Sequence, residues 1–416
     1  MKRYDTYKDS GVEWIGEIPT NWKKGRLKNY FNLSSGKNPS DLDKEFGQFP
    51  VYGSNGIIGY TNNPDLNKET ILIGRVGSSG ELNLNKFPCS VSDNCLVVEL
   101  KENHSLMFVY YLLIKTELKN YTTKTSQPLI TGSTIREIDT IIPPLSEQQQ
   151  IVSFLDTKTS LIDSLIEKTQ RKIELLKEKR TSLINEVVTK GLNPNVEMKD
   201  SGVEWIGEIP SHWLFTKFNR FVFFQEGPGL RTFQFTDEGT KVICVTNITE
   251  KGIDFTYKKF ISTDEYFEKY QHFTVEKGDY LLSSSGNSWG KVSEYHDDEK
   301  VMLNTSTIRL NTIDSSIYNK SLIPHILKSE VVRKQLEILM TGSCQPNFGP
   351  SHLNQLVIPI PPLSEQQQII EYLDEQTELI DKTVSIEEKR IELLKEYRQS
   401  LISEVVTGKL KVTTDE

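Results

Sequence analysis

The sequence contains no apolar run of the about 18–20 residues that a membrane-spanning helix requires. Residues 1–10 are polar and lack the apolar core of a signal peptide. The four cysteines, Cys89, Cys95, Cys244 and Cys344, have no CxxC spacing, which excludes a recognisable zinc ribbon and gives no disulfide framework. We therefore expect a cytoplasmic protein that has no membrane partner.

Catalytic signatures are also missing. The Gly-Lys pairs at Gly36, Gly290 and Gly408 lack the upstream glycine and the following Ser or Thr of a phosphate-binding loop. The six histidines are dispersed without an HExxH pair, and no G-x-S-x-G nucleophile elbow occurs. Both Pro-Pro pairs precede leucine, whereas the tetrapeptide of amino-methyltransferases ends in Pro-Pro-aromatic. These absences predict a binding and scaffolding subunit that has no catalytic residue and no metal.

The charge balance is acidic. The chain of 416 residues has a net charge of −8 and a pI near 5.5. Nucleic-acid-binding domains are often basic, so composition alone mildly disfavours DNA as a ligand. The length fits roughly two to three domains at about 150 residues each, and apolar residues are frequent enough to form packed cores.

Internal repetition dominates the sequence. Several blocks occur twice in the same order, and the lead-in pair is identical at 12 of 14 positions. Between them, residues 23–126 and 214–344 share no long motif. A constant frame with variable contents predicts a pseudo-twofold molecule that does one task on two different targets, and duplication followed by drift is the alternative. The repeated blocks are residues 9–22 with 200–213, 143–156 with 361–374, 171–192 with 389–410, and Gln127-Pro128 with Gln345-Pro346.

The constant blocks after the Pro-Pro pairs have the pattern of long helices. Ser146 can cap a helix start with Gln149 three residues later, and no Gly or Pro follows before Gly191. Apolar or long side chains recur at steps of four and three residues, through Leu165 and similar positions, which predicts a heptad seam. The second copy ends at Gly408. We expect two helices of about 60 Å that pack antiparallel, with a charged outer face that is either solvated or docks partner proteins.

The variable blocks alternate short β-rich runs with Gly/Asn/Ser turns and contain helical stretches. The predicted fold class is α+β: two globular mixed α/β domains joined by two long antiparallel coiled-coil helices, in a pseudo-twofold internal repeat. The predicted boundaries are residues 1–145 for the first domain with its lead-in, 146–191 for the first helix, 192–363 for the connector and second domain, 364–410 for the second helix, and 411–416 for the tail.

Loops of the variable blocks form the candidate contact surface, because binding residues concentrate on loops. Arg suits guanine, Asn suits adenine, and Ser and Lys suit phosphates, although the same residue types also fill ordinary turns. The candidate DNA-binding residues are Lys37, Asn38, Tyr52, Ser54, Asn55, Arg75, Ser78, Ser79, Arg231, Asn247, Ser284, Ser285, Asn287, Ser288, Trp289, Lys291 and Asn304.

The repeated blocks resemble those of the specificity subunits of type I restriction–modification systems. The resemblance extends over nearly the full length and rests on three motifs, each present twice. They are D-S-G-V-E-W-I-G-E-I-P at residues 9–19 and 200–210, P-P-L-S-E-Q-Q-Q from Pro143 and Pro361, and I-E-L-L-K-E with L-I-x-E-V-V-T at residues 173–189 and 391–407. Two copies of all three, in this order, make the resemblance specific.

The resemblance implies that the globular domains are target-recognition domains. Each would read one half of a bipartite, gapped site in double-stranded DNA, and the two helices would set the length of the gap. The chain would hold two adenine methyltransferase subunits, and two ATP-dependent restriction subunits would join them. S-adenosylmethionine, ATP and magnesium would belong to these partners, so this chain would have no cofactor and would act in a bacterial or archaeal cytoplasm.

One alternative is a coiled-coil adaptor whose two globular heads bind proteins or glycans. The acidic net charge favours it slightly, whereas unlike heads on near-identical frames favour DNA half-sites. An enzyme whose site carries none of the signatures above is a third possibility.

Overall fold

The computed structural model describes residues 2–85, 88–340 and 346–412. The chain divides into a first unit, Met1–Gln170 with Glu388–Glu416, and a second unit, Arg171–Glu387. Within the described ranges, no helix is both long and apolar enough to span a membrane. Cys344 and Gln345 lie outside the described residues.

The first unit contains eleven strands and two short helices among its described residues, together with parts of two long helices. The strands are β1 (Tyr7–Asp9), β2 (Glu17–Pro19), β3 (Lys23–Arg26), β4 (Phe31–Ser35), β5 (Phe49–Gly53), β6 (Gly56–Thr61), β7 (Thr70–Gly74), β8 (Leu82–Asn85), β9 (Ser90–Val91), β10 (Cys95–Leu100) and β11 (Asp139–Ile142). The helices are α1 (Leu106–Thr116), α2 (Gly132–Glu137) and α3 (Leu145–Lys190), of which α3 continues into the second unit.

Two sheets form the globular domain of the first unit. An antiparallel sheet has the strand order β4-β10-β7-β8, and a smaller sheet has the order β6-β5-β9 with β5 and β9 parallel. Strand β7 is buried on both faces, because Ile71 and Ile73 pack with Phe108 of α1 while Leu72 packs with Val97 in a second cluster. An apolar run that is buried on both sides explains why β7 does not alternate with polar residues.

The second unit contains the remaining elements. Its strands are β12 (Met198–Asp200), β13 (Glu208–Pro210), β14 (Leu214–Lys217), β15 (Val222–Glu226), β16 (Phe235–Thr236), β17 (Thr240–Ile243), β18 (Ile248–Thr249), β19 (Gly252–Ile253), β20 (Lys259–Ile261), β21 (Thr274–Val275), β22 (Tyr280–Ser283), β23 (Val292–Glu294), β24 (Val301–Leu303), β25 (Thr307–Thr312) and β26 (Val357–Ile360). Its helices are α4 (Thr263–Glu265), α5 (Ile323–Leu327), α6 (Glu330–Leu339), α7 (Pro350–Leu353) and α8 (Leu363–Val406), which continues into the first unit.

The globular domains of the two units have the same topology although their sequences share no long motif. The sheet β15-β25-β22-β23 repeats the order of β4-β10-β7-β8, and the parallel pair β17–β24 corresponds to β5–β9. The second domain adds β16 and β21 at the edges of its smaller sheet. Buried apolar strands are therefore sufficient to keep the fold while the surface residues differ.

Each unit contains an antiparallel pair of helical segments from α3 and α8. In the first unit, Arg398 of α8 forms an ion pair with Asp163 of α3, with an N–O distance of 2.9 Å. In the second unit, Arg180 of α3 and Asp381 of α8 are also 2.9 Å apart. These two pairs occupy equivalent positions of the repeated blocks, so the predicted fold class, with long antiparallel helices in a pseudo-twofold repeat, is confirmed.

The heptad seam differs from the prediction at one position. Leu165 was assigned to the seam, but its side chain is 41% exposed. Ile166 packs against the core of the first unit instead. Ile162, Thr169 and Ile173 are buried, and Ile166 is partly buried between them, in steps of four, three and four residues. Both residues fit a helical seam with steps of three and four, and the packing of the first unit selects Ile166.

Candidate nucleic-acid interface

The candidate loops of the first unit meet at one end of its four-stranded sheet. The turn at residues 92–94, between β9 and β10, lies in the middle of this end. The backbone N–H of Gly36 donates to the carbonyl of Cys95 at 3.1 Å, and that of Arg75 donates to Asn94 at 2.8 Å. The segments that begin at Gly36 and Arg75, which contain five of the predicted residues, therefore flank the same turn.

The hairpin between β5 and β6 joins the same end. The carbonyl of Tyr52 accepts the backbone N–H of Ser92 at 2.8 Å. Gly74 lies close to the hairpin, because a Cβ atom at this position would come within 2.8 Å of the carbonyl oxygen of Ser54. A larger residue at Gly74 would therefore separate the two loops. All the predicted residues of the first domain lie on segments that these contacts bring together.

The second unit has backbone hydrogen bonds between its loops that are equivalent to those of the first unit. The backbone N–H of Gly227 donates to Thr307 at 3.1 Å, as Gly36 does to Cys95. The N–H of Ser284 donates to the carbonyl of Ser306 at 3.0 Å, as that of Arg75 donates to Asn94 in the first unit. Two domains with unrelated loop sequences therefore present their loops on the same backbone scaffold.

Asn304 of the second domain occupies the place of Ser92 in the first. Its backbone N–H donates to the carbonyl of Ile243 at 3.1 Å, as that of Ser92 does to Tyr52. Asn304 is among the residues predicted from the sequence, whereas the turn at residues 92–94 is not. Its Ser-Asp-Asn composition is a turn signal that could have found it.

A repeated dipeptide holds the contact loop of each domain. The N–H of Gly77 donates to the carbonyl of Pro128 at 3.1 Å, and that of Gly286 donates to Pro346 at the same distance. Both glycines have positive φ angles, 76° and 63°, which side chains disfavour. The proline of the repeated pair thus has a structural role that the sequence did not reveal.

The predicted residues differ in exposure. The exposed ones are Lys37, Asn38, Asn55, Arg231 and Asn287. The partly buried ones are Tyr52, Ser54, Arg75, Ser78, Ser285, Ser288, Trp289, Lys291 and Asn304. The buried ones are Ser79, Asn247 and Ser284.

Asn247 is used inside its own loop. Its side-chain oxygen accepts the backbone N–H of Cys244 at 2.9 Å. Its amide nitrogen donates to the carbonyls of Asp254 at 2.7 Å and Tyr257 at 3.0 Å. These three bonds occupy the groups with which an asparagine would read a base. In this structure Asn247 shapes the loop and does not reach its surface.

The loop ends carry cations in an acidic chain. Lys37 and Arg75 lie on the loops of the first domain, and Arg231 and Lys291 lie on those of the second. In the part of the chain that the structure describes, none of these four has a carboxylate within ion-pair distance. Unpaired cations beside hydroxyl and amide side chains can contact phosphates and base edges.

The described residues contain no cluster suited to metal binding. No three His, Cys, Asp or Glu side chains converge there. Burial raises the pKa of the Cys89 and Cys95 thiols to about 11, so both are protonated at neutral pH and neither is a reactive nucleophile.

The match to a family model identifies the family. The model of the type I restriction modification DNA specificity domain matches residues 19–175 and 210–396. The chain belongs to this family. Each match begins in a lead-in block and extends into a long helix, so the model covers the two repeats in turn.

Known specificity subunits are similar to the whole chain or to a part of it. The MjaVIII specificity subunit of Methanocaldococcus jannaschii is 27% identical over 415 residues, which cover 95% of this chain and 94% of that protein. The EcoKI specificity subunit of Escherichia coli strain K12 is 36% identical over 88 residues, which cover 21% and 19%. None of these matches supports the adaptor alternative.

Solved structures share the fold. A chain of a type I restriction–modification system has a TM-score of 0.71 at 16% identity, covering 94% of this chain and 99% of its own. The HsdS subunit of Thermoanaerobacter tengcongensis has a TM-score of 0.53 at 16% identity, covering 94% and 98%. The topology described above is therefore that of known specificity subunits.

Proposed function

We propose that this chain is the DNA sequence-recognition subunit of a type I restriction–modification complex, and that each recognition domain reads one half of a bipartite, gapped site. One observation carries the proposal. The two domains hold their loops by equivalent backbone bonds, from Gly36 and Arg75 in the first and from Gly227 and Ser284 in the second, yet present different side chains. Two domains with the same backbone arrangement and different loop side chains suit two half-sites of different sequence.

The helices are the proposed binding surface for two adenine methyltransferase subunits. Large apolar side chains are exposed on the helical segments of both units, and apolar patches of this kind mark protein interfaces. On α8 of the second unit, Tyr372, Leu379 and Ile386 recur every seven residues and are all exposed. The repeat of seven places them on one side of the helix, where a partner helix can pack along them.

The first unit has similar residues. Leu161 and Leu165 of α3 are exposed, as are Leu393 and Tyr397 of α8. Leu161 is equivalent to Leu379 in the repeat. The proposal therefore includes one methyltransferase for each unit, and two restriction subunits that join through the methyltransferases.

Catalysis is assigned to the partners. S-adenosylmethionine, ATP and magnesium would act in the methyltransferase and restriction subunits, and this chain would be a non-catalytic reader in a bacterial or archaeal cytoplasm. Partner subunits would also supply much of the salt-dependent attraction to phosphates, because this chain is acidic. The methyltransferase would flip the target adenine out of the duplex beside each domain.

Methylation mapping tests the proposal directly. Methylated adenines are mapped genome-wide in cells that express this chain with its methyltransferase, and in cells with the methyltransferase alone. We expect a two-part motif with a gap of fixed length that depends on this chain. An assembled complex that adds no methylation contradicts the proposal.

Domain exchange separates the two readers. Strands β14 and β26 pair at the base of the second domain, so residues 214–360 form a unit that can be replaced as a whole. Replacement with the matching segment of a related subunit is expected to change one half of the motif and leave the other half unchanged. Replacement of residues 23–142, bounded by the paired strands β3 and β11, is the matched experiment for the other half.

The proposed spacer role of the helices has its own test. Lys172 of α3 contacts Glu387 of α8 with an N–O distance of 2.6 Å, so these residues mark facing positions. One heptad inserted after Lys172, and one before Glu387, preserves the seam and adds about 10 Å. We expect the gap in the motif to lengthen by about three base pairs. An unchanged gap in a folded, active variant contradicts the spacer role.

A further inference from the structure

Phe233 is displayed to solvent by an ordered turn. Its side chain is 86% exposed, the largest value among the big apolar side chains of the described residues. It lies in a 3-10 turn, Thr232–Gln234, between strands β15 and β16. A phenylalanine gains no folding energy at such a position, because it buries almost no apolar surface. Its position requires a different explanation.

The turn is fixed on both sides of Phe233. The side-chain oxygen of Gln234 accepts the backbone N–H of Arg231 at 2.8 Å. The amide nitrogen of Gln234 donates to Glu265 at 2.8 Å and to the hydroxyl of Tyr270 at 3.1 Å. The backbone that carries the aromatic ring is therefore ordered before any ligand binds, which lowers the entropy cost of inserting the ring.

Apolar packing supports the same turn from below. Leu230 and Phe235, which flank the exposed tip, pack against a buried cluster that includes Met302. Met302 belongs to β24, which ends just before Asn304. The tip that carries Phe233 thus rests on the strand that leads into the candidate contact loops.

The connection between β15 and β16 also starts at the end of the domain where the candidate contact loops meet. Gly227 is packed so closely on Asn304 that a Cβ atom at this position would overlap the backbone of Asn304. The segment from Gly227 to Phe233 therefore leaves the sheet beside the candidate base-reading residues. Arg231, an unpaired cation, is exposed on the same tip.

The surroundings of Phe233 favour DNA over a protein partner. Its sequence neighbours Arg231 and Thr232 are polar and exposed, so Phe233 does not belong to a continuous apolar run along this segment. The corresponding connection of the first domain also presents an exposed phenylalanine. Phe46 is 74% exposed, and its turn is held by Asp43, which accepts the backbone N–H of Phe46 at 2.9 Å.

We propose that Phe233 is a wedge that inserts between two base pairs of the half-site read by the second domain. Apolar side chains that enter a base step unstack it and kink the duplex. The ring would stack on an exposed base face, and Arg231 would contact the adjacent phosphate. Sequence would then be read partly through the deformability of that step. This inference rests on the proposed function.

The test uses the assembled complex of this chain and its methyltransferase, on a duplex that contains the mapped site. The fluorescent base 2-aminopurine, which brightens when it is unstacked, is placed at successive positions of the second domain's half-site. The wild-type complex is expected to brighten one step in addition to the flipped adenine. Phe233→Ala is expected to lose that signal and to bind DNA about tenfold more weakly.

Two variants control the experiment. Phe233→Trp retains an aromatic ring and is expected to keep the signal. Ile313→Ala removes an exposed apolar side chain just after the other end of β25, the strand whose first residue, Thr307, lies at the contact end. It is expected to leave the signal and the affinity as in the wild type.

Each remaining outcome is decisive. If Phe233→Ala leaves every position as bright as in the wild type, the wedge is wrong. If the folded variant fails to assemble with the methyltransferase, Phe233 belongs to a protein interface and the wedge is again wrong. If the assembled wild-type complex itself does not bind the duplex, the proposed function fails, and this result is distinct from the other two.

Discussion

The indole N–H of Trp22 donates to a carboxylate oxygen of Glu147 at 2.7 Å, and this bond joins two blocks of the repeat. Trp22 closes the lead-in block, and Glu147 lies in the first turn of α3. The second unit contains the same bond between Trp213 and Glu365 at 2.9 Å. Each half therefore attaches its lead-in to its helix through the same contact.

The next residue of the helix makes a second contact of this kind. Gln148 donates to the carbonyl of Pro143 at 3.0 Å and accepts the backbone N–H of Ser105 at 3.0 Å. Ser105 caps α1 of the recognition domain. In the second unit Gln366 bonds in the same way to Pro361. The P-P-L-S-E-Q-Q-Q motif therefore attaches each recognition domain to its long helix.

Removal of the glutamate is expected to loosen one unit only. In Glu147→Ala, the fully buried indole of Trp22 loses its acceptor, which costs about 1–3 kcal/mol. Hydrogen exchange of residues 2–26, measured by mass spectrometry, is expected to accelerate by about 10- to 100-fold, while residues 198–217 stay protected. Glu365→Ala should give the reverse pattern. The control Glu174→Ala removes an exposed carboxylate of α3 that pairs with Arg171. Equal acceleration of residues 2–26 in this control contradicts the prediction.

The helix ion pairs are expected to contribute modestly. Arg180 pairs with Asp381 through two bonds, of 2.9 and 3.2 Å, and its side chain is partly buried. We expect Arg180→Ala to lower the free energy of unfolding by about 1 kcal/mol, with a coupling energy to Asp381→Ala of roughly 0.5–1 kcal/mol. Urea denaturation of the double-mutant cycle measures both. High salt should reduce the coupling, and a coupling of zero would show that the pair has no net effect.

Sequence alone predicted the parts of the fold that repeat or have a strong period. The helix start at Ser146 and the stop before Gly191 follow from capping residues and from the absence of Gly and Pro between them. The choice between Leu165 and Ile166 for the seam could not be made, because both are apolar and lie one residue apart. Only the packed partner segment decides which of them is buried.

The equivalence of the two recognition domains could not be predicted. It rests on backbone bonds, such as those of Gly36 and Gly227, and backbone groups are the same for every residue type. Residue types in the loops indicated polar contact surfaces, yet they did not separate Asn247, which is buried, from Asn287, which is exposed. Burial of a loop residue depends on contacts that are distant in sequence, and no local pattern records them.

Acidification is expected to destabilise the first unit through His104. Burial lowers the pKa of His104 below its usual value of 6.5, and the ring of Tyr30 lies against it with centroids 4.5 Å apart. The unfolded chain therefore binds the proton more readily than the folded chain, so stability present above pH 6.5 is lost as the pH falls through the lowered pKa. His104→Phe keeps the ring contact and removes the titration.

The free energy of unfolding, measured in urea at pH 7, 6 and 5, is the readout for this substitution. We expect it to fall less steeply with acid in His104→Phe than in the wild type. His296→Phe, at an exposed histidine, is the control. An identical slope in His104→Phe and the wild type would contradict the prediction.

Charge placed on the exposed helix residues is expected to block assembly without unfolding the chain. Leu379 and Ile386 of α8 are 59% and 68% exposed, so glutamate at either position buries no charge in the free subunit. In a complex whose methyltransferase packs along these residues, the same charges would be desolvated without a partner, which costs several kcal/mol. We expect Leu379→Glu with Ile386→Glu to weaken methyltransferase binding more than tenfold, measured by calorimetry, while the melting temperature changes little. Ser385→Glu adds the same charge beside this row and should bind normally. Normal binding by the double variant would mean that the methyltransferase binds another surface.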